Sequence, residues 1–215
     1  MAQAWMKGLA LAGILGGAIM ASSAKADLVQ AVEMKDHRAL SQAIANGAEI
    51  DARNGKGQTA LLIAVWNNDI EAARLLIEAG ADVNVKDALQ DSPYLVAGAH
   101  GRNEILKMIL QNGADLNSVN RFGGTAIIPA AEKGHPETVS LLIAAGADVN
   151  HVNDLGWTAL MEAVVLSDGG PLHQDIVKRL LEGGADRSIP DKEGVTALEH
   201  AKQRGFTEMV ALLER

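Results

Sequence analysis

The sequence feature that most constrains the fold is a short glycine motif that recurs at a nearly constant interval. The glycines are Gly47, Gly80, Gly113, Gly146 and Gly184, so the intervals are 33, 33, 33 and 38 residues. Each is followed by Ala, and the last four continue as Gly-Ala-Asp. Each also follows a stretch rich in helix-forming residues, where a glycine in the left-handed conformation commonly ends a helix. The series therefore predicts one helix end per interval.

A serine or threonine stands twelve residues after each of these glycines. These residues are Thr59, Ser92, Thr125, Thr158 and Thr196. Their side-chain oxygens are expected to accept a hydrogen bond from the first turn of a helix and so to fix its start. Segments rich in Asp, Asn and Gly separate successive helix pairs and predict turns. The predicted unit is a finger-like turn, a helix, a second turn and a second helix.

These residues resemble the ankyrin repeat over about residues 27–215. The string Gly-Ala-Asp-Val-Asn, present letter for letter at 80–84 and 146–150, carries the resemblance together with the cap spacing. The resemblance implies an all-α solenoid of helix-turn-helix pairs with β-hairpin fingers and a concave face, about five and a half to six repeats long. The expected repeats are 27–53, 54–86, 87–119, 120–152, 153–190 and 191–215.

Two features depart from the family pattern. The family often has a histidine after the leucine of the first helix, and this chain has Leu62, Leu95, Ile128, Met161 and Glu199 there. The fingers are therefore expected to be less regular than in the family. Pro129 falls inside a first helix, early enough that we expect the loss of one backbone hydrogen bond.

Residues 1–26 resemble a secretory signal peptide. Lys7 precedes an apolar run at 8–21, and Ala24-Lys25-Ala26 is a small-x-small cleavage motif. The run is shorter than the roughly 20 residues that span a bilayer, so we expect cleavage after Ala26 and no membrane contact afterwards. The alternative is a buried first helix rich in Ala and Gly. Export to the periplasm is the expected location, with full secretion as the alternative.

Composition narrows the possible functions. The chain has no cysteine, which excludes disulfides, thiolate metal sites and cysteine nucleophiles. Its formal charge of 19 − 27 = −8 becomes 17 − 27 = −10 without Lys7 and Lys25, and such an acidic body should repel nucleic acid. No phosphate loop, metal-ligand spacing or nucleophile elbow is present. The sequence therefore predicts a protein that is not an enzyme and has no cofactor or metal.

Function in such a stack is expected at positions that the repeat does not dictate, namely the finger tips and the exposed face of each first helix. Large apolar and basic side chains at these positions are the usual anchors of a protein interface. The predicted partner-binding residues are Trp66, Leu89, Arg121, Phe122, Lys133, Leu155, Trp157, Val165 and Leu166. The alternative is that the finger-tip aromatics pack on the neighbouring finger and stiffen the stack.

The 38-residue interval contains five extra residues, assigned to 167–171, which are expected to lengthen the turn between two helices. Insertions in repeats map to loops, which often carry function, although a neutral extension is equally compatible. Glu162, Asp168 and His173 form a possible loop site for a metal or a reaction. Glu162 is expected to pair with a backbone amide or a hydroxyl of the next finger or of the inserted loop.

The sequence therefore predicts a monomeric, non-catalytic adaptor that binds a protein partner along its concave groove. Two further classes of function stay open. One is a secreted effector or immunity-type adaptor that acts on a foreign protein through the same groove. The other is a metal protein or enzyme centred on the insertion in the fifth repeat.

Overall fold

The computed structural model describes residues 28–215, so the predicted leader lies outside the described residues. Within this range the chain forms twelve helices. They are α1 (residues 28–33), α2 (His37–Ala45), α3 (Ala60–Trp66), α4 (Ile70–Glu78), α5 (Pro93–Ala99), α6 (Asn103–Gln111), α7 (Ile127–Glu132), α8 (Pro136–Ala144), α9 (Ala159–Val165), α10 (Pro171–Glu182), α11 (Ala197–Gln203) and α12 (Thr207–Leu213). Among the described residues, none of these helices has the length and apolarity to cross a bilayer.

The helices form six successive pairs, and the pairs stack in two rows. The first helices of neighbouring pairs pack together in the order α3, α5, α7, α9 and α11. The second helices pack in the order α2, α4, α6, α8, α10 and α12. Because each pair contacts chiefly the pairs before and after it, the core runs as one continuous band through the stack.

The band is built almost entirely from Ala, Leu, Ile and Val. Small residues set how closely the first helices approach, and Gly98 of α5 is the tightest example. A Cβ atom added at Gly98 would lie 2.7 Å from the Cβ of Ala126. The predicted helix ends are also present: the five repeat glycines have φ between 78° at Gly47 and 92° at Gly184, which is the left-handed region.

Four of the five predicted N-caps are confirmed. The hydroxyls of Thr59, Ser92, Thr158 and Thr196 each accept a hydrogen bond from the backbone N–H three residues later. The prediction for Thr125 is wrong, because α7 begins later, after Ala126, and its cap makes no side-chain hydrogen bond. The cause is Pro129, whose effect extends beyond the single bond that we expected it to remove.

The fingers are not regular β-hairpins in this structure. Across residues 28–215 the only β pairing is an isolated antiparallel bridge between Pro190 and Thr196. Each finger is instead closed by the Asn or Asp that begins it. In the fourth finger, for example, Asn120 Oδ1 accepts hydrogen bonds from the N–H groups of Phe122 (2.8 Å) and Gly124 (3.1 Å). These side-chain bonds replace a strand ladder in fixing the turn.

The five extra residues do not all lengthen a turn, which corrects the prediction. Pro171 is the first residue of α10, which has 12 residues, whereas α4, α6 and α8 have 9 each. Three of the five residues therefore extend α10, the second helix of the fifth pair. The other two lengthen the preceding turn, which runs over 166–170 here and over 67–69 in the second pair. Proline suits this place because the first N–H of a helix has no partner within the helix.

Candidate protein-binding groove

The groove lies between the finger tips and the row of first helices. Its floor contains the tenth residue of each repeat, counted from 54, 87, 120, 153 and 191. We call these residues the floor row: Ile63, Val96, Pro129, Glu162 and His200. The floor row is aliphatic at its start, then changes to a proline, a carboxyl group and an imidazole. At four of the five places the floor-row N–H donates to the carbonyl oxygen four residues earlier, and Pro129 is the exception.

Three finger tips present apolar side chains to solvent at the same repeat position. Leu89, Phe122 and Leu155 are 60%, 53% and 52% exposed, respectively. The N–H of each is held by the side-chain oxygen of its own finger, from Asp87, Asn120 or Asn153, at 2.8 to 3.0 Å. We call these three residues the tip row. Because their backbone is fixed by local hydrogen bonds, the tip row is preorganised for contact.

A cavity of about 400 Å³ opens between the third and fourth fingers and the helices below them. Its lining residues are Trp66, Asp91, Leu95, Val96, Ala99, His100, Asn120, Arg121, Phe122, Pro129, Glu132 and Lys133. The predicted residues Trp66, Arg121, Phe122 and Lys133 are thus brought together around one cavity. The ring of Trp66 stands edge-on to His100 with 4.7 Å between ring centroids, which fixes one wall.

Charges of both signs surround the cavity. Arg121 lies 3.7 Å from a carboxylate oxygen of Asp91 and 4.9 Å above the ring of Phe122. Burial, with the field of Asp87, raises the pKa of Asp91, although Arg121 opposes this change. Burial also lowers the pKa of His100, and the nearby Lys133 ammonium lowers it further. The cavity is therefore amphipathic, with aromatic walls and a balanced charged rim.

Of the other predicted residues, Leu89 lies on the third finger, and the rest belong to the fifth repeat. Leu166 is exposed, whereas Trp157 and Val165 are half-buried and pack against the core. The expectation that Trp157 and Val165 are freely exposed therefore holds only in part. A partner could reach one side of each residue, and the other side contributes to the stability of the stack.

Glu162 is the one glutamate among the buried polar residues of the described part of the chain. Its Oε1 accepts a hydrogen bond of 2.8 Å from Nδ2 of Asn153, so the expected backbone or hydroxyl partner was wrong. Burial and then the neighbouring Glu132 carboxylate raise its pKa to about 7, while the hydrogen bond from Asn153 opposes the rise. This carboxyl group therefore titrates near neutral pH.

The possible loop site is not assembled. Asp168 accepts a hydrogen bond from the N–H of Gly170 at 2.9 Å, and His173 Nε2 lies 2.9 Å from the carbonyl oxygen of Glu132. Glu162 is bonded to Asn153 instead. Between residues 28 and 215 no three or more His, Asp or Glu side chains are grouped so that they could hold a metal ion.

The inserted turn is tied to the sixth repeat. Arg204 donates to the carbonyl oxygens of Val165 (2.9 Å) and Ser167 (2.7 Å). Its guanidinium lies 4.8 Å above the ring of Phe206. That ring in turn occupies the space beside Gly169, where any Cβ would clash at 2.5 Å. The insertion therefore braces two repeats.

Comparison with known proteins tests the resemblance. Two sequence profiles match, ankyrin repeats (3 copies) over residues 94–186 and ankyrin repeats (many copies) over residues 28–77. The chain is 53% identical to an ankyrin repeat domain of known structure from Acinetobacter baumannii AYE. That match covers 88% of this chain and 97% of the other, with a TM-score of 0.86. The chain belongs to the ankyrin-repeat family. The all-α solenoid predicted from the sequence is thereby confirmed.

Two further relatives agree. The solved structure of EF0377, an ankyrin repeat protein, is 47% identical over 88% of this chain and 97% of that one, with a TM-score of 0.86. The ankyrin repeat protein YahD of Escherichia coli (strain K12) is 53% identical over 53 residues, and the match spans only 26% of its length. Ankyrin repeats are generally protein-interaction modules, and proteins built from them are typically non-catalytic.

Sequence reasoning did not assign a role to Asp91, His100, Glu132 or Asn153. The first three line the cavity at repeat positions that the register identifies as free, but only apolar and basic side chains were predicted to be anchors. Asn153 was signalled by a different pattern: Asn or Asp begins every finger at the same place. Its contact with Glu162 depends on the fold and is not visible in that pattern.

Proposed function

We propose that this ankyrin stack is a monomeric, non-catalytic protein-binding module of the periplasm, with its partner lying along the concave groove. The tip row is the observation that carries the proposal. Three large apolar side chains in equivalent places, each more than half exposed, form a surface that an isolated stack gains nothing by exposing. The cavity beside them offers a pocket into which a partner side chain can insert.

The mechanism is rigid complementarity. Side-chain hydrogen bonds fix the backbone of each finger, so little conformational entropy is lost when a partner binds. Phe122 should contribute most, because it joins the tip row to the cavity and carries the Arg121 guanidinium on its ring. The formal charge of 17 − 27 = −10 over residues 27–215 disfavours nucleic acid as the partner.

The test uses the full chain with a C-terminal affinity tag. Partners are cross-linked in cells, isolated from the osmotic-shock fraction and identified by mass spectrometry, and the best partner is then titrated against purified variants. Phe122→Ala should weaken binding about 30-fold, which corresponds to roughly 2 kcal/mol for an interface anchor. Trp66→Ala should also weaken binding, since Trp66 forms a wall of the cavity.

Ile70→Ala is the matched control. Ile70 and Trp66 are both 37% exposed, but Ile70 begins an outer helix and does not line the cavity. Ile70→Ala should change affinity less than 2-fold, a bound set by the small effect of residues outside an interface. The groove assignment would be refuted if Trp66→Ala and Ile70→Ala lost affinity equally. It would also be refuted if Phe122→Ala kept its affinity with intact helicity. N-terminal sequencing of the same sample tests export, since a cleaved leader predicts a chain that starts at Asp27.

A further inference from the structure

The floor row contains a buried carboxyl group in the part of the groove nearest the fifth finger. Glu162 is only 5% exposed. Within the described part of the chain, its carboxyl group accepts a hydrogen bond of 2.8 Å from Asn153 Nδ2. An ionised carboxylate has about four acceptor sites, and among the described residues only Asn153 supplies a side-chain donor to them. Ionisation of Glu162 in this closed arrangement is therefore costly.

The charged groups around Glu162 do not compensate for this cost. On α7, Glu132 opposes ionisation with its own negative charge, and the Lys133 ammonium acts on His100. On α10, His173 is hydrogen-bonded to a backbone carbonyl, and the remaining charges are paired with each other. These pairs are Asp175 with Arg179 and Lys178 with Glu182.

The groups on α11 and on the fifth finger are also engaged elsewhere or have the wrong sign. His200 pairs with Asp191 at 2.7 Å, and Arg204 donates to two backbone carbonyls. Lys202 pairs with Glu214 at 2.8 Å, and Glu199 is bonded to Thr196. Asp154, at the finger tip, is a second acid, and Lys192 of the sixth finger donates to the backbone carbonyl oxygen of Asp154. No cation from a neighbouring element is therefore positioned to neutralise Glu162 within residues 28–215.

Asn153 connects this carboxyl group to the fifth finger. Its Nδ2 donates to Glu162, and its Oδ1 accepts from the N–H groups of Leu155 and Trp157, both at 3.0 Å. One side chain thus bridges the groove floor and the finger that presents two of the predicted anchors. The fourth finger has the same turn, held by Asn120, but the floor residue below it is Pro129, which cannot titrate.

We propose that Glu162 and Asn153 form a proton-controlled latch, which holds the fifth finger closed while Glu162 is protonated and favours its opening once Glu162 is ionised. Opening exposes the carboxylate fully to water, and water then supplies the hydrogen-bond donors that the protein does not. This inference rests on the proposed function, because it makes the presentation of Leu155 and Trp157 to a partner depend on pH.

The size of the effect follows from linkage between protonation and opening. The pKa of Glu162 is about 7 in the closed finger, and the ordinary value of 4.5 applies once the carboxyl group is hydrated. A carboxyl group whose pKa is raised in the closed state favours that state at low pH, and the advantage is lost as pH rises towards 7. The opening equilibrium constant should therefore increase by about 10-fold between pH 6 and pH 8.

Amide exchange measured by NMR on the partner-free protein tests the latch. After correction for intrinsic exchange rates, the protection of the Leu155 and Trp157 amides should fall about 10-fold from pH 6 to pH 8. The amides of Phe122 and Gly124 in the fourth finger are internal controls and should keep constant protection. The carboxyl carbon of Glu162, followed by ¹³C labelling, should titrate with a midpoint near 7.

Two isosteric variants complete the design. Glu162→Gln should make the protection of the Leu155 and Trp157 amides independent of pH. Glu132→Gln should keep the pH dependence but shift its midpoint downward, because one cause of the raised pKa is removed. A pH dependence that persists in Glu162→Gln, or that appears equally in the fourth finger, overturns the latch.

The wild-type carbon titration keeps the latch testable even if Glu162→Gln fails to fold, since a midpoint near 4.5 overturns it without any variant. All of these measurements omit the partner. A flat exchange profile would therefore refute the latch and leave the proposed function standing. A failed partner titration would refute the proposed function and leave the latch standing.

Discussion

Pro129 offers a sharp test of how one residue changes a repeat whose backbone is otherwise constant. In the other full repeats the floor-row N–H donates to the carbonyl oxygen of the N-cap residue. For Ile63, Val96, Glu162 and His200 these bonds measure 3.2, 2.9, 3.0 and 3.0 Å. Pro129 has no N–H to donate. This bond is therefore missing from the fourth repeat.

The first turn of α7 adapts, and the adaptation removes a second bond. The N–H of Ile128 donates to the Thr125 carbonyl at 3.1 Å, whereas the equivalent N–H groups elsewhere donate to the cap hydroxyl. Thr125 Oγ1 is left buried, with no hydrogen-bond partner among the described residues. The helix also loses a residue, since α7 has 6 residues whereas α3, α5, α9 and α11 have 7.

Replacing Pro129 by valine, the residue at the same place in the third repeat, should restore both bonds. A backbone hydrogen bond contributes about 1 kcal/mol to the free energy of unfolding, and an N-cap contributes about 1 kcal/mol. Valine also loosens the unfolded chain, which costs about 0.7 kcal/mol. We therefore expect Pro129→Val to raise the free energy of unfolding by about 1 kcal/mol.

Urea unfolding of the purified full chain at neutral pH measures this change. Amide exchange of α7 should accompany it, because repeats can unfold separately and a single transition is not guaranteed. Two shape-preserving variants separate the contributions. Thr158→Val should cost about 1 kcal/mol, because it deletes an intact cap. Thr125→Val should cost nothing or stabilise the protein, because it removes a buried hydroxyl that has no partner.

The double variant Pro129→Val/Thr125→Val provides a further test. Once Pro129→Val has restored the cap, Thr125→Val should become as costly as Thr158→Val. If Thr125→Val already costs as much as Thr158→Val in the native background, Pro129 has not disabled the cap. A loss of stability in Pro129→Val, with the helix content unchanged, would equally contradict the destabilising role of Pro129.

Two other predictions concern contacts between repeats. Burial opposes ionisation of Asp69, but hydrogen bonds from His37 and from a backbone N–H lower its pKa below 3.8. Asp69→Asn should therefore lower the free energy of unfolding by about 1 kcal/mol in urea at pH 7. This loss should shrink as pH falls through the lowered pKa of Asp69, and a loss independent of pH would contradict this account. Arg204→Ala should speed amide exchange and proteolysis around Ser167, because two carbonyls lose their donor. The surface variant Lys202→Ala should leave this segment unchanged, and similar rates in both variants would count against the bracing role.

The features that the sequence predicted correctly are those set by neighbours in the chain. A glycine ends a helix because it adopts the left-handed conformation, and Thr59 caps α3 because its hydroxyl reaches an N–H three residues away. Thr125 does not cap α7 in this way, because with Pro129 four residues later the N–H of Ile128 donates to the Thr125 carbonyl instead of the hydroxyl. A motif scan treats the two threonines alike, since it does not follow where each backbone hydrogen bond goes.

The candidate site was harder to predict because it depends on contacts across the stack. The exposed tip row follows from the repeat register, and Leu89, Phe122 and Leu155 were identified from it. The half-burial of Trp157 depends on packing against the core, which spacing does not report. The partner of Glu162 was missed because an Asn nine residues away reaches it only once the finger has folded over the first helix.

The floor row also shows where stability has been given up. A stack selected for stability alone would keep an aliphatic residue at every floor position, as Ile63 and Val96 do in the second and third repeats. Pro129 leaves a buried hydroxyl without a partner in the described part of the chain, and Glu162 places a carboxyl group where only 5% of the residue is exposed. These two costly residues are adjacent in the row: Pro129 lines the cavity beside Phe122, and Glu162 contacts the finger that carries Leu155. Unfavourable local features tend to persist where function requires them. Their position therefore supports the proposal that the partner contacts the fourth and fifth repeats more than the ends of the stack.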